Sequence, residues 1–167
     1  MGAAEPQTTT LRYYDLLPEH ILPEEVVIAS IDCTEARGRM ALWRELAAKD
    51  PEKVLWVKQL NRESIEVLHG TSTRHISLRN SIELEGLLNR DQYLLDISGL
   101  SHCAWAPIVK SLFDRRVATR ALYAEPRSYK SHPSPASSSV FDLSITVEGA
   151  APLPGFARLA GPPDESK

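Results

Sequence analysis

Three short apolar runs, VVIASID ending at Asp32, VLWVKQ, and YLLDISG, have the brevity and pattern of buried strands. A fourth, VATRALY, follows them, and helical periodicity fills much of the sequence between. Runs that are apolar on both alternating faces belong to strands buried on both sides, as in a parallel sheet. The intervening stretches place apolar residues at a 3.6-residue period, so each would lay one stripe against that sheet. Few architectures satisfy both demands. The pattern predicts an α/β sandwich with a mainly parallel sheet, whose crossovers are right-handed.

Along the chain, Thr34 is placed to cap a helix over EARGRMALWRELAAKD, with Met40, Trp43, Leu46 and Ala47 on its apolar stripe. EKVLWVKQ and SIEVLHG, joined by a polar link containing Asn61, predict a hairpin or two adjacent strands. A helix is expected from Ser77 to Asn89, and another over SHCAWAPIVKSLFDRR with Pro107 in its first turns. The run from 140 to 147 alternates Phe141, Leu143, Ile145 and Val147 with polar residues, which predicts an antiparallel edge strand with one wet face. The expected fold is therefore a Rossmann-like three-layer sandwich with an antiparallel edge strand. One domain is expected over 11–159, between flexible tails at 1–10 and 160–167.

Charge and cysteine usage remove several function classes. Lys and Arg number 19 against 22 Asp and Glu, a formal charge of −3, so direct nucleic-acid binding is not indicated. Cys33 and Cys103 form neither a C-x-x-C pair nor a disulfide framework, which fits a reduced, cytoplasmic protein. MGAAEPQTTT lacks the charged and apolar regions of a secretory signal, and Pro6 occupies the position where myristoylation wants Ser or Thr. No apolar run approaches the roughly 18 residues of a membrane span, so no membrane association is expected.

Ligands of open α/β sheets bind beyond the carboxyl ends of the strands, and three loops fall there. Asp32 to Glu35 contributes Asp32 and Thr34. The segment from Asp96 to His102 contributes Asp96, Ser98, Gly99 and Ser101. The third, Tyr123 to Pro126, contributes Glu125. Acids there can accept from ribose hydroxyls, the serines can cap a helix or donate to phosphate, and Gly99 lets a ligand approach the backbone. Asp32, Ser98 and Glu125 are expected within one pocket's width. His69, Thr71, Ser72 and Arg74 are expected to form a further polar loop beside the rim, with Arg74 as the anion clamp. The bland alternative for the acids and serines is helix capping. No dinucleotide fingerprint, P-loop or nucleophile elbow occurs, so no cofactor is expected, and the histidines lack metal-ligand spacing.

The succession LLDISGL, a helix, ALYAEPRSY and a late PLPGF is similar to Rossmann-like proteins of bacterial anti-phage defence loci, over residues 26 to 156. The start of a polar helix after a strand also resembles nucleotide-sensing CARF-type domains, although the effector domain those proteins carry is missing. The resemblance implies a non-catalytic subunit that senses a nucleotide-type ligand or docks on a larger effector. Two alternatives stand beside it. One is a nucleotide or glycosidic-bond hydrolase using Glu125 or Asp96, and the other a pure interaction adaptor. Leu153 and Phe156, set among prolines after the 140–147 run, place the expected contact with a larger partner or a second copy in residues 140–159.

Overall fold

The structure is a computed structural model that describes residues 18–33, 40–124 and 153–156. Among these residues six strands form one sheet: β1 (Val26–Ser30), β2 (Val54–Gln59), β3 (Ser64–His69), β4 (Ser72–Ser77), β5 (Gln92–Asp96) and β6 (Ala118–Leu122). Their order is β4-β3-β2-β1-β5-β6. β2, β1, β5 and β6 pair in parallel, while β3 pairs antiparallel to both its neighbours. The four β segments expected to share a mainly parallel sheet do so.

Among the described residues three α-helices complete the sandwich: α1 (Met40–Lys49), α2 (Ser81–Leu87) and α3 (His102–Asp114). Strand alternation sorts the core into two layers. On one face Val27, Ala29, Val54, Trp56 and Leu94 gather around Trp43 of α1. On the other, Val26, Ile28, Leu55, Val57, Tyr93 and Leu95 meet Leu84 and Leu87 of α2, and Ala104, Ile108 and Leu112 of α3. Of the apolar stripe read from the sequence of α1, Trp43 is fully buried, and Leu46 and Ala47 pack against its cluster. Arg115, the residue after α3, donates through Nη1 to the carbonyl of Leu88 and to that of Glu85 at 3.5 Å, and so closes the carboxyl end of α2.

The structure differs from the sequence reading at Ser72–Ser77. These residues were expected to be a polar loop running into a helix from Ser77, and they form β4 instead. The hairpin turns on Gly70 at φ +58°, a left-handed conformation that suits glycine. Only Ile76 of β4 is buried, so the strand has almost no apolar signature, and Leu78 just past it is buried in the same cluster. The helix starts later because Asn80 caps it, accepting from the N–H groups of Ile82 and Glu83 at 3.1 and 3.3 Å. Glu83 reaches back to accept from the N–H of Ser77 at 2.8 Å. Pro107 is the sixth residue of α3, within its first two turns. The antiparallel member of the described sheet is β3, and the run expected as an edge strand, 140–147, lies outside the described residues.

An ion pair with a buried carboxylate and a half-exposed guanidinium holds the lead-in to β1. Glu25 is 2 % exposed and receives both Nε and Nη2 of Arg120 on β6, at 2.6 and 2.5 Å. Arg120 also donates to the carbonyl of His20 at 2.9 Å, and the N–H of Leu22 donates to Glu25 at 2.9 Å. Hydrogen bonding to Glu25 raises the pKa of the guanidinium above its usual value.

Candidate functional site

From β1 the chain crosses by α1 to β2 on one side. From β4 it returns by α2 to β5 on the other side of β1. The crossover direction thus reverses at β1 and β5, and the diverging loops leave a crevice at their carboxyl ends. A cleft of about 200 Å³ lies there, lined by Ser30, Asp32, Gln59, Gly99, Leu100, Ser101 and Ala104. β1 ends at Ser30 and delivers Asp32, β2 ends at Gln59, and the turn after β5 supplies Gly99 to Ser101.

Ser101 caps α3, accepting from the N–H of Ala104 at 3.3 Å, and its hydroxyl donates to Oε1 of Gln59 across the cleft. Gln59 in turn donates to the carbonyl of Asn61 at 3.0 Å. This chain of bonds fixes the β2 and α3 walls relative to each other. Gly99 forms the wall facing β1. A Cβ at this position would meet Cβ and Sγ of Cys33 at 3.0 Å, so the glycine eases the close approach of the β1 and β5 loops.

The sequence-derived candidates separate. Asp32, Gly99 and Ser101 come together in the cleft. Asp96 does not open into it. Its carboxyl is 1 % exposed and accepts from the indole N–H of the fully buried Trp43 at 2.7 Å and from the N–H of Ser98 at 3.0 Å. Ser98 accepts at Oγ from the N–H of Ala124 at 2.7 Å, tying the end of β6 to the turn after β5. Both residues hold the loop that carries Gly99 and Ser101. Arg74 lies on the edge strand β4, where its guanidinium donates to the carbonyl of Gly86 in α2 at 3.3 Å, away from the cleft. Thr34 and Glu125 lie outside the described residues.

Sequence reading missed Gln59 and Ser30. The rule that picked the loops after the other parallel strands also covers the end of β2, so Gln59 was within reach. Ser30 was hidden as the last residue of an apolar strand. Trp43 as the partner of Asp96 had no local signal, being 53 residues away.

Cys33 and Cys103 are both half-buried thiols. His102 packs its ring on Trp105 one turn along α3, with centroids 5.5 Å apart. Among the described residues no three His, Cys, Asp or Glu side chains gather as metal ligands, and no helix is long and apolar enough to cross a membrane. Among the known protein families, the curated proteins and the solved structures, none matches the chain.

Proposed function

We propose that the protein is a non-catalytic binding subunit that takes a nucleotide-type ligand in the cleft between β1, β2 and β5. The observation that carries this reading is the coincidence of that cleft with the reversal of crossover direction, where α/β sheets take their ligands. The walls are cross-linked through Ser101 and Gln59 before any ligand arrives, which favours a preformed receptor. The enclosure of Asp96 argues against the hydrolase alternative in its Asp96 form, since a carboxylate 1 % exposed and bonded to an indole has no path to a substrate. The placement of such a subunit in an anti-phage defence complex rests on the sequence resemblance over residues 26 to 156, and the docking of a larger effector through 140–159 is part of the same proposal.

The test is thermal denaturation with individual nucleosides and nucleotides, followed by chromatography of each mixture. A ligand present at a hundredfold excess over its Kd stabilises the folded state by about 2.7 kcal/mol, which at this chain length raises Tm by roughly 5–10 °C. A shift with the ligand recovered intact supports the receptor. Conversion of the ligand to product refutes the non-catalytic reading, and the absence of any shift refutes the ligand.

A further inference from the structure

We infer that the cleft takes the sugar end of its ligand, with a vicinal diol set against Asp32, and that no phosphate group contributes to binding there. This rests on the receptor reading above and narrows it.

Charge supplies the first argument. Among the described lining residues the single ionised group is a carboxylate: Asp32 stands with Ser30, Gln59, Gly99, Leu100, Ser101 and Ala104. Asp32 is exposed, and among the described residues it has no hydrogen-bond or ion-pair partner. A phosphate brought beside it meets like charge, whereas a pair of hydroxyls offers two donors to two carboxylate oxygens. Arg74, the arginine expected to hold an anion, is engaged with α2 on the far edge of the sheet.

Donor count supplies the second. The Ser101 hydroxyl already gives its proton to Gln59 and accepts from Ala104, and Gln59 spends one amide N–H on Asn61. An acceptor left open among the described lining side chains is the Asp32 carboxylate, and a ribose diol brings two donors to it where a phosphate ester brings none.

Size supplies the third. Sites that hold a whole drug-sized ligand run from about 300 to 1,000 Å³, and this cleft measures about 200 Å³. A sugar ring with its hydroxyls fits that space and leaves the rest of the ligand at the rim.

The experiment measures Kd by calorimetry for the four common ribonucleosides, their 2′-deoxy counterparts and their 5′-monophosphates, with the full chain and with Asp32→Asn. At least one ribonucleoside is expected to bind, its 2′-deoxy form at least about tenfold more weakly, the size of one charge-assisted hydrogen bond. Its 5′-monophosphate should bind no more tightly than the nucleoside. Asp32→Asn should weaken the ribonucleoside about tenfold and the deoxynucleoside less than about threefold, with an unchanged melting curve for the free protein. A monophosphate that binds tenfold more tightly, or a deoxynucleoside that binds as well as its ribo form, overturns this inference and leaves the receptor standing. If none of the twelve compounds binds, the receptor reading falls and the inference with it.

Discussion

The strands β1 and β5 lie side by side in parallel and finish in similar ways, with an aspartate at or just past the last residue and small polar groups after it. Their aspartates have opposite fates. Asp96 points into the α1 layer and is enclosed, its charge met by an indole N–H and a backbone N–H. Asp32 comes two residues after the end of β1, in the loop, and stands in the cleft without a partner among the described residues. A strand-end acid thus does one of two jobs, and the partner that decides between them sits on a different element. A buried carboxylate with full hydrogen bonding fixes a loop, and an open one is available to something else.

Asp96→Ala attacks the buried side of this contrast most directly. It orphans the Trp43 indole N–H in a dry layer and frees the Ser98 N–H. The expected loss is about 3 kcal/mol in urea denaturation, from about 1–3 kcal/mol for each unsatisfied group. Trp43→Phe combined with it should cost less than the sum of the two single changes. Strict additivity would show that the 2.7 Å contact does not couple them.

Glu25 is a third acid, at the other end of β1, buried against a guanidinium instead of neutral donors. Arg120→Met leaves that carboxylate without its cation. Breaking a buried pair costs about 3–5 kcal/mol, but the Arg120 side chain is 49 % exposed and screened by solvent, so about 2 kcal/mol is expected. A loss under about half a kcal/mol would mean that water replaces the guanidinium without penalty.

Gly99→Ala tests how tightly the two strand ends are pressed together. The added methyl meets Cys33 at 3.0 Å and must displace the β1 loop. A loss of about 1 kcal/mol is expected, at the low end for overpacking, together with weaker ligand binding because Asp32 moves with that loop. Asp32→Asn should change stability by less than about 0.5 kcal/mol, as an exposed site with no structural partner does. A large loss there would place Asp32 with Asp96 as a structural acid and end the contrast.

The part of this fold that is plainest in the sequence is the part whose burial is symmetric. Val26–Ala29, Val54–Val57 and Tyr93–Leu95 are buried on both sheet faces, so their apolar runs announce themselves. β4 has one buried residue, Ile76, among polar ones, which is why the strand was read as a loop and the start of a helix. The Asn80 and Glu83 cap was present in the sequence and would have moved the helix start to the right place. At the site, the strand-end rule located the crevice from Asp32, Gly99 and Ser101. It could not separate Asp32 from Asp96, because Trp43 lies on α1 and nothing local ties it to β5. Arg74 was misplaced together with the strand that carries it.

The clasp between Glu25 and Arg120 also fixes when the domain can close. The meander β2-β3-β4 is built from neighbours in sequence, with a two-residue turn between β3 and β4, and such local pairs form quickly. β1 is different: as the ribosome extends the chain, it gains β2 as a neighbour and then waits for β5, while Glu25 waits for β6. Until Arg120 emerges, the nascent chain carries an unpaired carboxylate at the threshold of its central strand and a bare flank on β5. In that interval it is most exposed to mispairing with other chains, and β6, the last described strand to arrive, is what ends it.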